Sequence, residues 1–339
     1  MQYLEKHPII MIVVGVIGIS LSSIFVRFSQ APSAVTAAFR LLWTVLLLGP
    51  VVLGRTASRQ ELLGISRKNA LLSAVSGLFL AIHFVLWFES LQHTSVASST
   101  TIVCTEVIWV ALGFCLLLKG RLSPVAMCAI ALSLAGSVMI ALSDSRGGGN
   151  LYGDILALLA AVAVAVYTLI GRIVRQEVST GVYTFIVYVS CAAVLVATCL
   201  VQGYGLFAWG LSPLIVGLLL ALFSTILGHS IFSWCLKYFS PTFVSAAKLC
   251  EPVVAAIFAG LLFGEVPTIP VFVGGAMILG GVLYYVSQSV TGMTGSSKKS
   301  FKEKLLSVSP RMMIRYMLAK KRCRRENREC IREIPHDLR

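Results

Sequence analysis

Ten stretches of about 20 apolar residues, parted by short turns, constrain this 339-residue chain more than any other feature. A helix needs about 20 such residues to cross a hydrocarbon core about 30 Å thick. The stretches run over about 8–28, 33–53, 70–91, 96–118, 122–142, 153–172, 182–202, 212–236, 242–263 and 268–288. Turn or charge signals divide them, among them Gln30-Ala31-Pro32, Lys119-Gly120-Arg121, Gly203-Tyr204-Gly205 and Gly264-Glu265-Val266-Pro267. The pattern predicts an all-α integral membrane protein of ten transmembrane helices.

Composition excludes the soluble alternatives. Apolar residues make up 57% and charged residues 12%, against roughly 25% charged in a soluble domain. The formal charge of +14 is concentrated at one end, because 14 of the 28 Lys and Arg and 5 of the 14 acidic residues lie in Gly292–Arg339. A phosphate-binding groove needs its basic residues on a folded, water-facing surface, so no nucleic-acid partner is expected. Nine cysteines without CxxC spacing read as small hydrophobes rather than as a disulfide framework or metal site. The first apolar run follows Lys6, is too long for a signal-peptide core and lacks a small-residue cleavage site. It is expected to remain as the first helix.

Lys and Arg fix the expected orientation, since positively charged loops stay cytoplasmic. With the N-terminus inside, the inner loops before the tail carry Lys6, Arg55, Arg59, Arg67, Lys68, Lys119, Arg121, Arg172, Arg175 and Lys237, and the outer loops carry Arg27 and Arg146. Ten spans return the C-terminus to the inside, giving an N-in, C-in protein of the plasma (inner) membrane.

A shift of 145 residues lays Arg27 on Arg172, Glu106 on Glu251 and Leu134–Val138 on Leu279–Leu283. The chain therefore divides into a five-helix repeat at 8–143, a Gly-rich linker at 144–152, a second five-helix repeat at 153–288 and a basic cytoplasmic tail at 289–339. Five crossings are odd, so the second repeat is expected to be inverted, an arrangement characteristic of secondary transporters. Duplication kept for packing alone is the other reading.

Several runs carry a family resemblance: Ala38-Phe39-Arg40, Gly228-His229-Ser230-Ile231-Phe232-Ser233-Trp234-Cys235-Leu236-Lys237-Tyr238, Glu251-Pro252-Val253 and Leu262-Phe263-Gly264-Glu265, set within the 5+5 repeat. Over about residues 8–288 the chain resembles the EamA branch of the drug/metabolite transporter superfamily. The resemblance implies a ten-helix, basket-shaped carrier with a central cavity, often one that exports amino acids or other small organic metabolites. Two departures stand out: Glu106-Val107 where the second half has Glu251-Pro252, and the basic tail.

Charges at membrane depth face a bundle interior, find a partner or line a pathway, at a cost of about 2.5–3.5 kcal/mol each on insertion scales. Arg40, Glu106, Lys248 and Glu251 are four such residues. The repeat sets Glu106 and Glu251 on opposite sides of one cavity, and i, i+3 spacing pairs Lys248 with Glu251. The set serves equally as a helix-orienting ion-pair network or as a substrate site, and either carboxylate is a candidate proton carrier. Pro252 is expected to bend its helix.

Aromatic and polar residues complete the candidates. His83 and Trp87 are four apart on one stripe, Ser99, Glu106, Trp109 and Gly113 fit one face, and Tyr188, His229 and Trp234 come from the second half. Packing is the competing reading for each of them. The candidate pathway is thus Arg40, His83, Trp87, Glu106, Trp109, Tyr188, His229, Trp234, Lys248 and Glu251, with Pro252 as kink. Gly147-Gly148-Gly149 is not followed by Lys-Ser or Lys-Thr, and no HExxH or Rossmann pattern occurs, so no cofactor, metal or ATP site is expected. Ser309-Pro310 starts a basic, Met-rich stretch that reads as an amphipathic helix on the anionic inner leaflet or as a solvated tail.

The sequence thus predicts a secondary transporter exporting small organic metabolites by alternating access, its partners being that solute and membrane lipids. A membrane-embedded lipid-modifying enzyme and a structural or sensory membrane protein are the alternatives.

Overall fold

The computed structural model describes residues 8–94, 96–144, 151–263 and 269–285. The glycine run of the linker, the Gly264 to Pro267 break and the basic tail lie outside these residues. Every described element is helical: α1 (Pro8–Ser20 and Ser22–Val26), α2 (Ser33–Gly54), α3 (Arg67–His93), α4 (Val96–Cys104 and Glu106–Leu116), α5 (Pro124–Asp144), α6 (Leu151–Val174), α7 (Thr180–Val201), α8 (Ser212–Leu219, Leu220–Ser230 and Ile231–Cys235), α9 (Pro241–Lys248 and Glu251–Phe263) and α10 (Ile269–Tyr285). A short polar helix, Thr56–Gly64, joins α2 to α3. Eight of the described helices are long and apolar enough to cross a membrane, while Pro124–Ile140 and Ile269–Tyr285 are shorter apolar helices.

Serine side chains start three of the helices. Ser66, Ser179 and Ser240 accept from the backbone N–H groups of Asn69, Val182 and Phe243, satisfying donors that have no intrahelical partner. Pro241 follows the last of these at a position that needs no N–H. The apolar residues then divide by face. Leu80, Phe84 and Phe88 of α3 pack with Tyr183, Val187 and Leu195 of α7 in the main core. Leu46, Leu71, Leu116 and Leu261 stay exposed, as a hydrocarbon solvent requires.

The 145-residue repeat reappears as geometry. Ser133 Oγ in α5 donates to the Ile278 carbonyl in α10 at 3.3 Å, and these residues are 145 apart. On one side of this bond a side-chain carbon at Gly136 would stand 2.5 Å from the Gly274 carbonyl oxygen. On the other side a carbon at Gly281 would stand 2.7 Å from the Ala129 carbonyl oxygen. Numbers rise along α5 as they fall along α10, so the two equivalent helices meet antiparallel. Only glycine lets the backbones approach this closely. Phe84 and His229, also 145 apart, meet edge to face with ring centroids at 5.4 Å.

Both α4 and α9 break at the same point of the repeat. In α9 the turn falls at Leu249 and Cys250, whose N–H groups donate to Ala246 and Ala247 only three residues back. Pro252 accounts for it, since proline offers no N–H to the carbonyl one turn earlier. The predicted bend is therefore present as an interruption just before Glu251. In α4 the break falls at Thr105, the equivalent of Cys250, with no proline nearby. There the Thr105 hydroxyl donates to the Ile102 carbonyl at 2.6 Å, supplying a local bond in place of the helical one. The middle of α8, Leu220–Ser230, is π-helical, a rare form that occurs frequently at functional sites.

Candidate functional site

The two breaks, the π segment and the middles of α1–α3 and α6 enclose a cavity of about 40 Å³. A buried water needs about 10–15 Å³ of such space, so the cavity has room for a few waters and too little for a metabolite in this form. Of the sequence candidates, Arg40, His83, Trp87, Glu106, His229, Lys248 and Glu251 line it.

Arg40 is fixed on three sides. Its Nε donates to Thr225 Oγ1 at 2.8 Å, its Nη1 donates to Ser22 Oγ at 3.2 Å, and its guanidinium lies 4.2 Å from the Phe84 ring centroid. The Thr225 hydroxyl in turn donates to the Leu220 carbonyl five residues back, so the π segment positions the arginine's anchor. Ser22, which is not among the candidates the sequence points to, also lines the cavity as the acceptor for Arg40.

Lys248 does not pair with Glu251. Its ammonium lies 2.9 Å from Glu106 Oε1, across the two halves of the chain. The helix turn at Leu249 and Cys250 removes the continuous i, i+3 face on which the expected pair relied. Glu251 also lines the cavity and has no hydrogen-bond or ion-pair partner among the described residues.

His83 Nδ1 is 3.0 Å from the Ala160 carbonyl, and its ring stacks on Trp87 at 5.9 Å and 13°. His229 meets Phe84 and Tyr167 edge to face. Four buried polar atoms of the lining have no hydrogen-bond partner among the described residues: Arg40 Nη2, Trp87 Nε1, His229 Nδ1 and Glu106 Oε1, the last held only by its ion pair with Lys248.

The structure sets three candidates apart from this lining. Tyr188 is fully buried in the main core, its hydroxyl 2.9 Å from Ser230 Oγ. Trp109 packs against Val110, Ala165 and Leu169. The break at Thr105 interrupts the face expected to join Ser99, Glu106, Trp109 and Gly113. Ser99 accepts from Ser90 and Gly113 lies against Leu169. Trp234 packs against Tyr238, the rings tilted by 47° with centroids at 4.5 Å. Cys104 and Val103, just before the α4 break, line the cavity without having been singled out from sequence. Nothing in their residue types marks them, because the break that brings them there is not visible as a proline or glycine.

The two ends of the bundle differ. Where the α1–α2 turn meets the end of α3, the start of α6 and the end of α7, a vestibule of about 600 Å³ is lined by Gln30, Glu89, Gln92, Tyr152, Tyr204 and Trp209, among others. It sits along the same helices as the cavity, with Leu156 of the vestibule eight residues from Val164 of the cavity, about 12 Å at 1.5 Å per residue. At the opposite end polar bonds tie the helices to one another. Arg172 Nη1 donates to the Leu236 carbonyl at 2.5 Å and the Phe239 carbonyl at 3.3 Å, and Arg175 Nε donates to the Ser233 carbonyl at 3.0 Å. These carbonyls end α8 and have lost their intrahelical donors, which makes guanidinium a natural cap. Asn69 Nδ2 donates to Glu177 Oε2 at 2.8 Å and the Ser179 N–H to Glu61 Oε1 at 2.6 Å, both linking the first half to the second.

No curated protein matches the chain. Among solved structures 29 chains resemble it. One, described as "Crystal structure of protein", aligns with a TM-score of 0.67 at 18% identity, over 83% of this chain and 96% of that one, a likeness of fold. The model of the EamA-like transporter family matches twice, over residues 7–142 and 151–287. A central charged cavity, a duplicated helical body and this double match lead to one conclusion: the chain is a multi-pass membrane protein that belongs to the EamA-like transporter family, within the drug/metabolite transporter superfamily.

Proposed function

We propose that this protein is a secondary transporter that exports small organic metabolites, amino acids first among them, across the plasma membrane by alternating access. In this reading ten spans form two inverted repeats at 8–143 and 153–288, joined by the 144–152 linker, with both termini and the basic 289–339 tail in the cytoplasm. The antiparallel meeting of α5 and α10 about Ser133 and Ile278 supports the inversion. The charge asymmetry of the loops supports the orientation. With that orientation the vestibule faces outward and the arginine-capped end faces the cytoplasm, so this form is outward-facing.

The carrying observation is the chemistry of the central cavity. Among the described residues Arg40 Nη2 and Trp87 Nε1 are buried donors without acceptors, suited to a carboxylate, and Glu251 is a carboxylate with no ion-pair partner, suited to an ammonium group. A zwitterion satisfies both ends in a form whose cavity is wider than the one described here. Purified protein in liposomes, loaded with a panel of labelled amino acids, tests the reading. Protein-dependent efflux that is lost in Arg40→Met and Glu251→Gln at normal abundance supports it. Absence of flux for every amino acid and small organic solute on the panel would sink it.

A further inference from the structure

Glu106 and Glu251 are equivalent residues of the two halves, each directly after a helix break, and both line the central cavity. Their surroundings differ in one respect. Glu106 holds Lys248 at 2.9 Å, and Glu251 has no hydrogen-bond or ion-pair partner among the described residues. The repeat offers no second lysine, because the equivalent of Lys248 is Val103. Arg40, the other permanent cation of the lining, is tied to Ser22, Thr225 and the Phe84 face, and its own equivalent is Phe185. Two equivalent acids therefore share one lysine, whose ammonium has no side-chain anchor among the described residues beyond the Glu106 carboxylate and the Phe232 ring, the ring centroid being 5.4 Å away.

Lys248 stands three residues before Glu251 on the same broken helix, on a long flexible stem that lets its ammonium swing. If two halves exchange conformations when a carrier reverses, the environments of equivalent residues exchange as well. The paired acid becomes the free one. We infer that Lys248 is the shared counter-ion of the two equivalent carboxylates, bound to Glu106 in the outward-facing form and to Glu251 in the inward-facing form. Each form then presents one neutralised carboxylate and one free carboxylate to the solute. This rests on the alternating-access reading, and makes Lys248 the residue that ties the choice of binding carboxylate to the direction the carrier faces. The breaks at Thr105 and Cys250 are what allow it, since they give both acids the first position of a new helical segment.

A substrate-free experiment tests the exchange. Spin labels at Gln92 and Gln202, both on the vestibule lining, report its width in the full-length, otherwise cysteine-free protein in lipid nanodiscs. Wild type is expected to show a wide and a narrow population. Glu251→Gln, which breaks no bond in this structure, removes the inward partner of Lys248 and moves the ratio toward wide. Glu106→Gln removes the outward partner and moves it toward narrow. Each shift is about fivefold or more, the lower end of coupling between sites. Two wild-type populations with Glu251→Gln silent, or with both variants shifting the same way, overturn the exchange and leave the carrier reading standing. A single population in all three proteins overturns the carrier reading and the exchange together.

Discussion

Lys248 is bonded across the bundle to Glu106 rather than along its own helix to Glu251, although Glu251 is three residues away and Glu106 is 142. The break between Lys248 and Glu251 separates the two side chains' helical segments, and α4 brings Glu106 into the gap. An ion pair at membrane depth stabilises mainly by sparing each partner an uncompensated burial.

This pairing predicts a specific pattern of abundance. In the form described here Glu106→Gln and Lys248→Met each strand a buried charge, at about 3–5 kcal/mol for a broken buried pair, a cost that Glu106→Gln escapes only as far as Lys248 moves to Glu251, and both should lower the yield of monodisperse protein in detergent. The double variant removes both charges and should recover it, while Glu251→Gln should match wild type throughout. Equal losses for Glu251→Gln and Glu106→Gln would show that the pair seen here is not the one that holds the helices.

The arginine caps should govern the stability of the end they tie. Arg175→Gln removes the charge-assisted bond to the Ser233 carbonyl, worth about 1.5–3 kcal/mol. Its thermal midpoint should fall, and Arg172→Gln should add to the loss because it frees the Leu236 and Phe239 carbonyls. Unchanged melting in the double variant would mean that water serves these carbonyls as well as guanidinium does.

Adjacent glycines of α10 provide an internal control for the antiparallel contact. A methyl group at Gly281 would press on the Ala129 carbonyl and on Ser133, whereas at Gly280 it meets open space. Gly281→Ala should cost about 1–3 kcal/mol through overpacking, with Gly280→Ala neutral in the same unfolding assay. Similar costs for both would contradict the close approach of α5 and α10.

Single cysteines report orientation directly. Gln92 lies at the vestibule end and Gln176 at the arginine-capped end, and both are exposed. In a cysteine-free background an impermeant maleimide applied to intact cells should label a cysteine at position 92 and spare one at position 176 until the membrane is opened. Labelling of both from outside removes the basis of the proposed topology.

The sequence by itself determined the chain's solvent, its repeat and its four membrane-depth charges, because these depend on run length, on register and on residue type. Apolar runs of about 20 residues and a 145-residue period can be read without knowing how any helix is turned. That Glu106 and Glu251 are counterparts follows from the same register. The tertiary structure decided which charge meets which. Helical spacing assumes an unbroken helix, and it failed where α4 breaks at Thr105 through a hydroxyl bond to its own backbone, a cause that leaves no proline or glycine to mark it. It also failed at the π segment of α8, whose turns hold Thr225 against Arg40. Trp109, placed in the pathway by helical spacing, packs instead against Val110, Ala165 and Leu169 beyond the break. Partner choice among buried charges is set by the phase of each helix around its axis, and that phase is fixed only when the helices pack.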